Sequence, residues 1–311
     1  MKIRDLVVGG NITITLLTKS SDIKQTKAGK PYLWAEFTDG TDSINGVDWD
    51  YGDGPALKPN TIWDVSATVT EWSGVKQLKI IRLRENTERS VTDFAPQGPV
   101  DIRSYVDKWL ELANAVEDHG LKEVALRVFE DFNGLWCNLP SAKGVHHAYV
   151  GGQLKHSVDV AIKSKALAHL TPMANVDLCV VGGLLHDFGK LWTYKFNGAV
   201  IEMTEEGQMI EHIMLGAIKL EQYRNDRTSG AIDLLQHIIS SHHGQLEYGS
   251  PTTPLFLEAF IVSAADGLDA KANVLIEQFL KTPGGNMMTD KIFVLGNRQV
   301  FTPDYIRSKL S

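Results

Sequence analysis

Two hydrophobic periods divide the chain. Over residues 1–90 apolar and polar positions alternate in short runs: Asn11–Thr18, where Ile12, Thr13, Ile14 and Thr15 follow one another, then Tyr32–Phe37, Ser43–Trp49, Ile62–Val69 and Gln77–Leu83. Period-two runs rich in β-branched and aromatic residues predict strands. Turn dipeptides separate them at Ala28-Gly29, Asp39-Gly40, Asp53-Gly54, Pro59-Asn60 and Ser73-Gly74. Residues 91–100, VTDFAPQGPV, hold two prolines and a glycine and predict a linker. Beyond them the period changes: Tyr105, Trp109, Leu112 and Val116 recur at helical spacing. Further helices are predicted at about 121–136, 150–169, 176–188, 206–224, 230–242 and 254–281.

Short strands of this number in some 90 residues fit a small closed barrel such as an OB-fold, with an SH3-like barrel as the alternative. The expected architecture is therefore multi-domain: an all-β barrel over 1–90, a linker over 91–100 and an all-α domain over 101–311. No apolar run approaches the roughly 20 residues of a membrane span. The N-terminal MKIRDLVVGG is too polar for a signal peptide. Cys137 and Cys179 lie far apart without CxxC spacing, which suits free thiols in a reducing cytoplasm. No membrane partner is expected, and a homo-oligomer is compatible with the pattern.

Charge refines the picture. The net charge of −7 does not advertise nucleic-acid binding, but residues 1–90 balance 12 basic against 12 acidic residues, so the helical part carries the whole excess. A neutral, patchily basic module beside an acidic one is compatible with a binding domain joined to a metal enzyme.

The helical part sets histidines and aspartates into largely apolar helices: His156 in GGQLKHSVDV, His186-Asp187 in GGLLHDFGK, His212 in MIEHIMLG, His242-His243 in IISSHHG and Asp266 in IVSAADGLDAK. Burying one ionisable group among aliphatic residues costs several kcal/mol unless it is paired or bound to metal. A single histidine of this sort is usually a hydrogen-bonded core residue; a series on successive helices is not so explained. Imidazole and carboxylate without thiolate disfavour a structural zinc site and suit Mn, Fe, Ni or catalytic Zn. Asp269, three residues after Asp266 on roughly the same helical face, reads as a supporting or surface-paired group and not as a ligand.

The order His156, His186-Asp187, Asp266 resembles the H…HD…D pattern of the HD superfamily of metal phosphohydrolases, and HDFGK resembles its common HDxGK form. VHHAYVGGQLKHS, LLHDFGK, SSHHG and ADGLDAKAN, with KPYLWAEFTDGTDSINGVDWD and VKQLKIIRLR in the barrel, are similar to segments of the YhaM-type 3′→5′ exoribonucleases, in which an OB-fold precedes an HD domain. Two positions depart from that pattern: Thr41-Asp42 stands where a TG turn is usual, and Lys155 replaces a frequent acidic residue. The resemblance implies a divalent transition metal, two ions, with Mn favoured over Fe, Ni, Co or Zn. His156, His186, Asp187 and Asp266 would hold the first. Asp187, bridging, with His212 and His242 would hold the second, and His243 would be a ligand or a supporting donor. Lys190 would donate to a phosphate oxygen beside the catalytic Asp187, and His146 and His147 would touch substrate.

In the barrel, alternation puts Tyr32 and Trp34 on one strand face and Leu33, Ala35 and Phe37 on the other. The first pair suits base stacking, with Lys24, Lys27 and Lys30 on the preceding loop for phosphates; packing against another part of the molecule is the alternative. Trp72 and Lys76 are weaker candidates. The expected function is a metal-dependent 3′→5′ exonuclease on single-stranded nucleic acid, with RNA favoured and DNA a further substrate. The alternatives are an HD phosphohydrolase of nucleotides or cyclic (oligo)nucleotides with a regulatory or oligomerising barrel, and a binding protein with a relic HD domain.

Overall fold

The computed structural model describes residues 1–310 apart from 53, 96, 97, 99, 142–148, 198 and 199. It divides into two units: residues 1–99 with 195–202, and residues 100–194 with 203–311.

The first unit is built on strands β1 (Asn11–Gln25), β2 (Pro31–Thr38), β3 (Ser43–Asp48), β4 (Ile62–Trp72) and β5 (Val75–Glu85). They close into a barrel in the order β1-β2-β3-β5-β4. β1 is long because it serves two neighbours: Asn11 to Leu17 pair with β4, Leu17 to Gln25 with β2, and a register shift between Thr18 and Ser20 bends it from one to the other. A short parallel pairing, Asn45 to Val47 against Gln77 to Lys79, joins β3 to β5 and closes the ring. This is the OB-fold arrangement; it replaces the SH3-like alternative. The inward positions are those the alternation predicted: Leu33, Ala35 and Phe37 are fully buried with Leu16, Val65, Val69 and Leu78.

The segment read as a linker opens with a 3-10 turn, Val91–Phe94, that belongs to the barrel's packing. Phe94 is buried against Leu17 and Ile62, and Arg89 lies over its ring. Gly40 (φ +87°) approaches the Phe94 backbone so closely that a Cβ would stand 3.1 Å from its Cα. A small residue is required there for both reasons.

The second unit contains α1 (Ile102–Ala115), α2 (His119–Asn138), α3 (Gly152–Leu170), α4 (Val176–Leu185), α5 (Lys190–Thr193), α6 (Glu205–Ile210), α7 (His212–Leu220), α8 (Ser229–Ser241), α9 (Leu257–Lys281) and α10 (Pro303–Leu310). Side-chain N-caps set several starts: Asp101 for α1, Asp118 for α2, Asn175 for α4 and Thr204 for α6. α4 is buried on every side from Leu178 to Leu185 and forms the middle of the unit.

Two features differ from the sequence expectation. A two-stranded hairpin, β6 (Tyr194–Asn197) with β7 (Val200–Met203), interrupts the helices. The helix expected over 206–224 is broken at Glu211, which adopts φ 64°, ψ 157° and restarts the chain as α7 at His212. That conformation is strained for any residue with a Cβ.

Candidate metal centre and barrel face

Close backbone approach assembles the histidines. A Cβ on Gly183 of α4 would lie 2.6 Å from the Cα of Ala161, so the two helices α3 and α4 touch through bare backbone. That contact sets His186, just past the end of α4, beside His156 of α3, with 3.2 Å between their Nε2 atoms. The following turn is pinned by Phe188, which is buried among Phe132, Trp136 and Trp192 at ring distances of 5.9, 6.3 and 4.9 Å. Gly189 is then the one residue type that fits: a Cβ there would fall 1.8 Å from the carbonyl oxygen of His212. The glycine of HDFGK thus admits α7, and with it the His212 ring, to the centre.

Asp187 lies between two groups of side chains. Its Oδ2 is 3.3 Å from Nε2 of both His156 and His186. Asp266 Oδ1 completes that side, 3.2 Å from His156 Nε2 and 3.8 Å from His186 Nε2. Asp187 Oδ1 faces the other way, 3.6 Å from His212 Nε2 and 3.5 Å from His242 Nε2. His243 joins this second group: one ligand atom from each of His212, His242 and His243 lies within 4.8 Å of the others. Lys190 Nζ is 2.7 Å from Asp187 Oδ2.

The far side of each ring explains why the Nε2 atoms converge. Nδ1 of His186 donates to the Gly183 carbonyl at 2.8 Å, that of His242 to Ile239 at 2.7 Å and that of His243 to Tyr248 at 2.7 Å. A carbonyl oxygen only accepts, so the neutral ring carries its proton on Nδ1 and leaves a lone pair on Nε2. His156 does the same against a carboxylate, Asp269 Oδ2, at 2.7 Å. Lone pairs and carboxylate oxygens pointing into one small volume repel one another unless positive charge sits among them. Among the described residues, Asp187 Oδ1, His212 Nε2 and His242 Nε2 are buried without a hydrogen-bond partner, which natural interiors rarely tolerate. For a cation bound at about 2.1 Å, adjacent ligands stand about 3.0–3.4 Å apart, close to the separations on the His156 side. The residues present fit a divalent metal.

Burial pushes His212 well below the ordinary histidine range and lowers His243, which keeps both neutral and able to ligate. His156 goes the other way: burial works against its charge, but Asp187, Asp266 and Asp269 outweigh burial and hold it well above the ordinary range. Burial alone would raise Asp187 and Asp266. Lys190 and the histidines around Asp187, and His156, His186 and His242 around Asp266, outweigh it and hold both carboxyls below their usual range. Burial also works against a charged Lys190, but Asp187 prevails and its pKa is raised. The centre is not sealed: the side chains of His212, Asp266 and Lys190 keep 14%, 16% and 12% of their exposure.

Of the other sequence candidates, His146 and His147 lie outside the described residues. Lys155 pairs with its helical neighbour Asp159. Asp269 is fully buried and touches His156, not the space between the groups. In the barrel, Tyr32 and Trp34 both point outward, half-buried. Lys24 lies over the Trp34 ring at 4.1 Å, and Tyr32 packs against Trp49 at 4.6 Å. Lys27 is exposed, whereas Lys30 is paired with Asp50 at 2.6 Å. Trp49 escaped the sequence reading because only the β2–β3 register, Leu33 opposite Asp48, brings the end of β3 beside Tyr32.

Residues 154–271 match the HD domain family, whose members bind divalent metal. Over 304 residues the chain is 31% identical to the 3′-5′ exoribonuclease YhaM of Geobacillus sp. (strain WCH70), an alignment covering 95% of this chain and 93% of that protein. Among solved structures, the second OB-fold domain of replication protein A from Methanococcus maripaludis is similar at 21% identity, covering 29% of this chain and 96% of that one with a TM-score of 0.24. An HD segment behind an OB barrel, and a relative alike along nearly the whole chain, lead to one conclusion: the chain belongs to the family of the YhaM 3′→5′ exoribonucleases.

Proposed function

We propose that this protein is a cytoplasmic, metal-dependent 3′→5′ exonuclease of single-stranded RNA, with single-stranded DNA as a further substrate, in which the barrel is the binding module and the helical unit carries the reaction. The observation that supports this best is Asp187, whose two carboxylate oxygens face two separate groups of ligand atoms. His156, His186, Asp187 and Asp266 would hold one ion, and Asp187 with His212, His242 and His243 a second; carboxylate and imidazole donors suit Mn, Fe, Ni or Zn, and manganese is favoured on family membership. Divalent cations at such a centre supply activated water and neutralise phosphate charge.

The chain's own groups do the rest. Asp187 keeps its charge because Lys190 stands beside it, and Lys190, partly exposed, is placed to turn a proton toward a phosphate oxygen as charge develops there. The carbonyl-anchored histidines hold their donor atoms fixed without reorganisation. Tyr32, Trp34 and Trp49 offer flat faces to bases, and Lys24 and Lys27 offer charge to the backbone. The 3′ polarity and the preference for RNA rest on family membership. End-labelled single strands test the reading. Progressive shortening of a 5′-labelled RNA with Mn²⁺, arrested by chelator and by a blocked 3′ end, is the expected result. Cleavage of a circular substrate, or inertness toward every polymer with hydrolysis of a free nucleotide, would overturn it.

A further inference from the structure

Four histidines at the centre have the Nδ1 atom anchored, and one anchor differs in kind. His186, His242 and His243 rest on backbone carbonyls, but His156 rests on the carboxylate of Asp269. Asp269 has no solvent exposure. A carboxylate so buried is strongly disfavoured unless its charge is compensated. Its second oxygen meets the Lys163 ammonium at 2.7 Å, and Lys163 keeps 30% of its side-chain exposure. Spacing makes the arrangement possible. Lys163 follows His156 by two helical turns on α3, and Asp269 follows Asp266 by about one on α9, so each residue of the pair shares a face with a group of the centre. Both carboxylate oxygens of Asp269 are thereby committed on the side of His156 away from the other ligand atoms.

His212, in the opposite group, has a looser support. Its Nδ1 is 3.8 Å from the exposed Glu211 carboxylate, and its backbone follows the strained Glu211. We infer that Lys163 and Asp269 act as positioning residues for His156, fixing its ring plane and tautomer and enriching Nε2 in electron density, so that the metal position on the His156 side is the tighter of the two. A carboxylate behind a ligand histidine raises its basicity, and losing such a partner commonly weakens metal affinity about 10–100-fold. The inference rests on the two-metal reading above and adds an order of affinity to it.

The test is calorimetric titration of the full-length, metal-free protein with Mn²⁺ alone, beside far-UV circular dichroism and thermal melting of the same samples. The wild type should take up Mn²⁺ in two steps of unequal affinity. Asp269→Asn should weaken the tight step about 10–100-fold and move the other by less than about twofold. Lys163→Gln, at a half-exposed position, should weaken the same step by less, and Lys163→Arg should restore it. If Asp269→Asn fails to fold, Lys163→Gln decides. Equal weakening of both steps, or an unchanged tight step in folded variants, would overturn the inference. A wild type that binds no Mn²⁺ would instead overturn the metal reading itself, and this inference with it.

Discussion

Asp39 of the barrel and Asp187 of the helical unit are both buried, and they are opposites. Asp39 of the barrel is satisfied: Oδ2 accepts from the Ile3 backbone N–H, and Oδ1 from the Thr41 and Asp42 backbone N–H groups and the Thr41 hydroxyl. It tethers the N-terminal turn and the β2–β3 connection. Among the described residues, Asp187 of the helical unit meets the Lys190 ammonium on Oδ2, while its Oδ1 lies unpartnered toward His212 and His242. Both cost desolvation, but Asp39 recovers that cost within the fold and Asp187 does not. Asp39, whose donors are all backbone groups and a hydroxyl of its own unit, is architecture. A buried carboxylate facing acceptors marks a place where something else must bind.

The comparison predicts which substitution harms what. Asp187→Asn removes the charge that both groups of histidines share, so hydrolysis should fall on the order of a thousandfold or more. Circular dichroism of the metal-free variant should keep its helical content. Turnover within tenfold or so of wild type would erase the distinction drawn between the two aspartates.

Gly189→Ala tests the geometry instead of the charge. The added methyl must displace the His212 carbonyl 1.8 Å away, so the turn and α7 separate. The expected cost is about 3 kcal/mol, read as a lowered melting temperature, with Mn²⁺ uptake retained on the His156 side and weakened on the His212 side. Unaltered uptake on both sides would show that α7 does not need this approach to deliver its ligand.

These two variants also mark how far the sequence could be read. The strands of the barrel, its inward residues and the order of metal-ligand candidates follow from local period and residue type. What is lost is what depends on register and on backbone strain. β1 continues past its pairing with β4 through the polar Ser20, Ser21 and Asp22 because β2 pairs with them, which no apolar pattern records. The break at Glu211 carries neither glycine nor proline. The hairpin carries a turn dipeptide, Asn197-Gly198 in YKFNGAVIE, but its short arms lie among strongly helical segments. Nothing in the local pattern around Lys163 shows that Asp269, 106 residues on, stands opposite it.

The barrel's aromatic face is where the comparison is most exposed to failure, since a purely architectural barrel would lose only stability there. Tyr32→Ala with Trp49→Ala should weaken binding of a long single strand by about 1–3 kcal/mol per stacked base lost. Hydrolysis of a dinucleotide should change far less, and affinity should fall with salt as phosphate contacts are screened. Equal losses on both substrates would make the face structural.

The smallest expected effect falls on Asp39, and there the sign depends on pH. Burial raises its pKa, but the donors from Ile3, Asp42 and Thr41 outweigh that and hold it below the ordinary value of 3.8. A carboxyl with a depressed folded pKa stabilises the fold fully above its unfolded value and loses that contribution as pH falls through the folded one. Barrel stability should therefore be level from neutral pH to about 5 and decline below about 4. Asp39→Asn replaces an acceptor oxygen with a donor facing N–H groups and should cost about 1 kcal/mol at neutral pH. The variant should also lose that part of the acid-dependent decline, while exonuclease activity at neutral pH stays unchanged. Chemical denaturation followed at pH 7 and pH 3.5 reads both effects. If Asp39→Asn instead abolished hydrolysis without altering stability, the barrel aspartate would be a functional group and the contrast with Asp187 would collapse.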